Sequence, residues 1–172
     1  MAIEAISEQQ DKLASLFEEH YDRIARYIYV RIGDRSEAED LASDVFLRAL
    51  ESLKKYQERG IPMQAWLYRI AHNLVVDHLR RVTKYKFSPI EEVEVRDEAD
   101  PVSTAEINIE IDRVKTAMQN LTEAQRQVVQ LRFFSGLTSQ EVGLILNKSD
   151  GAVRETQRAA LVKLRQLLGS KK

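Results

Sequence analysis

LTEAQRQVVQLRFFSGLTSQEVGLILNKSDGAVRETQRAALVKLRQLL, residues 121–168, decides the fold because its punctuation is as regular as its apolar pattern. Thr122 precedes Gln125 by three residues, and Thr138 precedes Glu141 by three. At that spacing an N-cap hydroxyl and a longer acceptor side chain each bond the other's backbone N–H, so both threonines predict helix starts. Ser149 can cap a last helix that turns Val153, Ala160, Leu164 and Leu167 inward. Gly136 suits a left-handed C-cap, and Asn147 tolerates the same backbone region. From 138 to 165 the grammar is therefore that of a helix-turn-helix. A short helix (139–146) carries Val142, Ile145 and Leu146, the turn is Asn147-Lys148-Ser149, and a longer helix follows.

A second helix held this way projects its N-terminal half outward, with dimensions that fit a DNA major groove about 12 Å wide. Arg154, Arg158 and Arg165 recur at steps of four and seven, so they share one stripe facing away from Val153 and Leu164. Guanidinium groups on such a stripe suit phosphates and guanine edges. The charge balance agrees. Residues 113–172 hold 11 Lys+Arg against 4 Asp+Glu, a net of +7. Residues 91–112 hold 1 against 9, a net of −8, and residues 1–90 cancel at 14 against 14. A whole-chain charge of −1 thus conceals a basic part suited to a polyanion and an acidic part that avoids one.

Upstream, residues 86–106 lose helical periodicity between Pro89 and Pro101, and the run EEVEVRDEAD has too few apolar residues to offset the entropy of ordering. A flexible acidic linker is expected there. Before it the pattern is helical again. Leu13, Leu16, Phe17, Tyr21, Ile24 and Ile28 make one stripe. Ala38, Leu41, Ala42, Val45, Phe46, Ala49, Leu50 and Leu53 make a second, and Leu67, Ile70, Ala71, Leu74 and Val75 a third. Ser36 with Glu39 predicts a capping box that opens the second helix, and Gly60-Ile61-Pro62 marks the break before the third. The expected fold class is all-α: two small helical domains, 10–86 and 107–169, joined by the linker 87–106.

Composition narrows the function. The chain has 172 residues, 44 % hydrophobic, and no Cys, which removes disulfides and thiolate chemistry. No stretch approaches the roughly 20 apolar residues of a membrane span. MAIEAISEQQDK has neither a basic n-region nor an apolar h-region, so a signal peptide is not expected and a cytoplasmic location is. His20, His72 and His78 are scattered, and HExxH, P-loop, GxGxxG and GxSxG spacings are absent. No catalytic residue, metal site or cofactor is expected, and the chain is not read as an enzyme.

Two passages together resemble the extracytoplasmic-function (ECF) group of the sigma-70 family of bacterial RNA polymerase sigma factors. AEDLASDVFLRALESL…QAWLYRIAHNLVVDHLRR, residues 38–81, is similar to that family's region 2, and residues 121–168 are similar to its region 4. The resemblance implies a sigma factor that binds core RNA polymerase and directs promoter-specific initiation. It implies that Asp40, Ser43 and Asp44 dock on the clamp helices of the largest polymerase subunit. Ser43 stands where the family often has Gln. The loop at about 56–64 and the helix carrying Tyr68, Arg69, His72, Asn73, Arg80 and Arg81 would open the promoter and read its −10 element, by aromatic and Arg stacking and by backbone contacts. Ser149, Arg154, Gln157 and Arg158 would read the −35 element. Ala159 stands where many members have Arg. Promoter DNA and an anti-sigma factor are the further partners implied, with no membrane insertion. Trp66 is expected in the core and His78 packed rather than ligating. The rival readings are a helix-turn-helix regulator that acts without polymerase docking and a pure interaction protein such as an adaptor; the basic C-terminal half speaks against the latter.

Overall fold

A computed structural model describes residues 1–56, 60–85 and 105–169. All regular structure among them is helical, and chain contacts divide the molecule into two compact units, Met1–Val95 and Arg96–Lys172. The acidic run expected as a linker lies, but for its last two positions, outside the described residues, as do residues 57–59 of the loop expected to capture bases.

The first unit is built from α1 (Ala2–Ile32), α2 (Arg35–Ser52), a 3-10 turn (Leu53–Lys55) and α3 (Met63–Tyr85). Each helix packs on the other two. Ile24, Tyr27 and Ile28 of α1, Ala42, Val45 and Ala49 of α2, and Leu67, Tyr68, Ala71 and Val75 of α3 are all buried to within 2 %. Burial of an Ile or Leu of this kind stabilises by about 1.5–3 kcal/mol. The expected stripes form this core, with two departures. Leu50 is 52 % exposed because the buried face of α2 centres on Ala42, Val45 and Ala49. Phe17 is 45 % exposed, yet its ring meets Phe46 edge-on at 4.9 Å and Tyr21 at 5.2 Å.

The capping box expected at Ser36 is not the start of α2. Asp34 is the N-cap, in extended conformation, and its carboxylate accepts from Glu37 N–H at 3.0 Å. The turn before it closes at Gly33, whose left-handed φ of 77° ends α1. Ser36 and Glu39 therefore lie inside the helix. At the entry to α3, Tyr56 donates its hydroxyl to Ile61 O at 2.8 Å and packs its ring on Trp66 at 4.7 Å. Trp66 is half-buried there rather than a core residue in full. His78 is half-buried, its Nδ1 3.6 Å from a Glu37 carboxylate oxygen across the α2–α3 seam.

The second unit holds α4 (Ala105–Gln119), α5 (Glu123–Val129) running on into a π turn (Gln130–Phe134), α6 (Ser139–Leu146) and α7 (Asp150–Leu168). α7 packs on the other three helices. Thr122 and Gln125 complete the expected capping box in both directions. Thr138 caps α6 by accepting from Glu141 N–H at 3.1 Å, and Ser149 caps α7 by accepting from Ala152 N–H at 3.1 Å. Two arginines close the opposite ends. Arg126 donates to the carbonyls of Met118, Gln119 and Leu121 where α4 stops, and Arg113 donates to Leu168 O where α7 stops. Each bonds carbonyls at or just past a helix end, where intrahelical donors run out.

Candidate nucleic-acid interface

The turn between α6 and α7 sets how the last helix is presented. Asn147 adopts φ 56° and ψ 49°, the left-handed conformation its sequence position predicts. Lys148 N–H then donates back to Gly143 O at 2.9 Å. The chain crosses so closely that a Cβ added at Gly143 would lie 2.5 Å from the Lys148 carbonyl oxygen. Val142, Ile145 and Val153 are buried across the angle. Fully buried Val153 and Ala160 face inward, which leaves Arg154, Arg158 and Arg165 exposed on the far side of α7.

Every one of the four residues expected at the −35 surface is engaged within the unit. Ser149 is exposed, but its hydroxyl oxygen serves as the α7 cap. Gln157 is half-buried. Its carboxamide oxygen accepts from Arg132 Nε at 2.9 Å, and Arg132 also donates to Leu137 O, so Gln157 braces α7 against the end of the π turn. Arg154 is exposed and lies 2.6 Å from an Asp150 carboxylate oxygen, while Ser139 donates to the other oxygen of the same carboxylate. Arg158 is exposed and bonds Glu155 at 2.5 Å. That hydrogen bond, and after it the Arg158 charge, hold the Glu155 carboxyl below the ordinary carboxylate range and raise Arg158 in return. A search for cations alone passes over Glu155; the signal in the sequence is an acid three residues before an Arg on an exposed helix.

In α3 the expected −10 set divides. Arg69, Asn73 and Arg80 are exposed and recur at steps of four and seven, opposite the buried Leu67, Ala71 and Leu74. Arg81 is exposed on an adjoining face, its Nε 3.5 Å from Asp77 O. Tyr68 does not belong with them. It is wholly buried and packs edge-on against Tyr27 at 5.8 Å, so its ring has no face left for a base. Tyr68 sits on the side of α3 turned to α1, where Tyr27 covers it. His72 is half-buried, with Nδ1 3.4 Å from Arg31 Nη1 and 3.5 Å from the Tyr27 hydroxyl. A guanidinium only donates, so Nδ1 is the acceptor in the contact with Arg31. His72 thereby ties α3 to α1.

In α2, Asp40, Ser43 and Asp44 are exposed on the side opposite Ala42, Val45 and Ala49. Leu47, 56 % exposed, continues their stripe by one turn, so the surface mixes acid with an apolar side chain. Leu47 falls off the 3–4 apolar repeat in the sequence, and that is where it can be noticed.

A helix-turn-helix with a basic outer face, preceded by a separate three-helix module with acidic and basic faces of its own, defines a DNA-binding transcription protein of two helical modules. Comparison with known proteins narrows the class. Residues 16–85 match the family model described as Sigma-70 region 2, and residues 117–166 match Sigma-70, region 4. The ECF RNA polymerase sigma factor SigD of Mycobacterium tuberculosis is 33 % identical over 168 residues, covering 94 % of this chain and 79 % of that one. The ECF RNA polymerase sigma factor BldN of Streptomyces coelicolor is 34 % identical over 166 residues, covering 93 % of this chain; the chain spans 61 % of BldN's length. Among solved structures, the sigma factor RpoE of Bartonella quintana, in complex with the anti-sigma factor NepR, shares the fold with a TM-score of 0.71 at 20 % identity, covering 94 % of this chain and 99 % of that one. This chain belongs to the ECF group of RNA polymerase sigma factors. The family consists of transcription initiation factors and not of enzymes. No helix among the described residues is long and apolar enough to cross a membrane.

Proposed function

We propose that the chain works in the cytoplasm as the promoter-reading subunit of RNA polymerase, with region 2 over 10–86, a connector over 87–106 and region 4 over 107–169. The outward stripe of α2 docks on the clamp helices of the largest subunit. Asp40 and Asp44 have no hydrogen-bond or ion-pair partner among the described residues and so are open to cations of a partner, while Leu47 supplies apolar area beside them. The Arg69, Asn73 and Arg80 face of α3, with Arg81 beside it, acts at the −10 element. The outer face of α7, with Arg154 and Arg158, acts at the −35 element. An anti-sigma factor is a further partner, as for the solved relative that holds one.

The observation that carries this reading is that both sigma regions occur in one chain and each turns a charged face away from its core. The test is start-site-specific transcription by core polymerase supplied with the purified chain. Asp40→Arg with Asp44→Arg should abolish core binding without unfolding the protein, since both sites are exposed. Arg154→Ala should lower promoter use while core binding persists. Both effects should vary with salt, the promoter effect because phosphate contacts release counterions and the docking effect because salt screens exposed charge pairs. Tight binding to duplex DNA with no association with core polymerase at any ionic strength would overturn the assignment in favour of a regulator that acts without docking.

A further inference from the structure

We propose that Glu155 sets base choice in the −35 element by accepting a hydrogen bond from the exocyclic amine of a cytosine, with Arg158 held beside it as the neighbouring donor. The inference rests on the −35 reading of α7 and adds to it a residue that selects by exclusion.

α7 has two acids, and they are placed differently. Asp150 lies in the first turn, and both of its oxygens are engaged, one by Ser139 and one by Arg154. Its charge is used inside the unit. Glu155 lies about 200° round the helix from buried Val153, near the middle of the outward face, and its side chain is 68 % exposed. One oxygen accepts from Arg158 at 2.5 Å, and the other has no partner among the described residues. A surface that meets a polyanion therefore carries an open anionic acceptor at its centre. Against phosphate that group is repelled, and against most base edges it meets another acceptor. Guanine offers N7 and O6 and thymine O4, while adenine offers an amine with an N7 acceptor alongside. Cytosine offers an amine alone. A carboxylate at this position is satisfied best by cytosine, with adenine second. Arg158 spends one N–H on Glu155 and keeps the rest of its fork for guanine or phosphate. The pair thus presents an acceptor and a donor in fixed order; a good bidentate pair discriminates by about 5- to 150-fold against the wrong base, and the single bond to cytosine falls at the low end of that range.

The experiment is transcription by core polymerase with the full chain on a pool of promoters randomised across the −35 element, read by sequencing the products. Wild type should enrich cytosine at one position, with adenine second. Glu155→Ala should flatten that position by about fivefold, with any further change confined to the base that Arg158 meets. Glu155→Gln should move the preference toward adenine, since a carboxamide pairs with adenine N6 and N7. Thermal melts of the variants should match wild type, as the site is exposed. A wild-type pool with −35 preferences that Glu155→Ala leaves intact, or raises in yield uniformly without altering any base preference, overturns this inference alone. In that case Glu155 only screens Arg158. A wild-type pool with no −35 preference at all overturns the −35 reading and this inference with it.

Discussion

Replacing Gly143 with Ala tests whether the angle between α6 and α7 depends on a missing side chain. The new Cβ would sit 2.5 Å from Lys148 O and 3.5 Å from Lys148 C, both backbone atoms held by the left-handed Asn147. Real Cβ atoms essentially never come within 3.0 Å of a heavy atom outside their own stretch of chain, so the turn must move. Overpacking of this type costs about 1–3 kcal/mol. The shift also weakens the 2.9 Å bond from Lys148 N–H to Gly143 O, worth about 0.5–1.5 kcal/mol. Opposing these, Ala gains about 1 kcal/mol of helix propensity over Gly. The expected net loss is about 0.5–3.5 kcal/mol, confined to the second unit. In a domain of this size each kcal/mol lowers Tm by about 4–8 °C. Hydrogen exchange on the full chain should show faster exchange in α6 and α7 and unchanged protection in α1, α2 and α3. Gly151 is the internal control. It stands in α7 with nothing within 4 Å of the point where a Cβ would sit, so Gly151→Ala should be neutral or stabilising by up to about 1 kcal/mol. Equal or greater stability of Gly143→Ala, or loosening of both variants alike, would refute the idea that close approach at 143 fixes the turn.

Two further substitutions probe the core and the turn. Tyr68→Ala should lower the stability of the first unit by about 3–5 kcal/mol, because it empties a wholly buried aromatic site; urea unfolding followed by circular dichroism measures it, and a variant with normal stability but lost promoter opening would return Tyr68 to the DNA surface. Asn147→Ala should lose about 1 kcal/mol from the penalty on a left-handed β-carbon, whereas Asn147→Gly should differ by a few tenths; equal melting temperatures for Asn147→Ala and wild type would mean that the turn adopts another backbone.

Much of the second unit is legible because its signals are local. Thr122, Thr138, Ser149, Gly136 and Asn147 act on backbone within a few residues, and all five stand at the helix ends expected of them, although the return bond from Glu141 that would complete the box at Thr138 is absent. Ser36 misleads because Asp34 competes, and a carboxylate two residues earlier reaches the free N–H groups first. The surface residues are harder to read. Tyr68 and His72 bring chemistry that suits DNA, but their burial depends on where α1 crosses α3, which is a tertiary fact. Gln157, expected to face a base, instead accepts from Arg132, 25 positions away in sequence. Helical spacing places charged side chains on a face; it does not tell whether a polar one is already occupied.

The π turn makes the length of this segment matter more than its letters. Closing a bond from Ser135 N–H to Gln130 O accommodates one more residue than an α turn would. Such a turn holds one residue in surplus of the α repeat, and the helix carries it without breaking. Losing it again would be a single-residue gap on paper, but in space it would swing the exit of α5 by about 100° and take the Arg132 brace on Gln157 with it. The segment should therefore tolerate a change of side chain far better than a change of length.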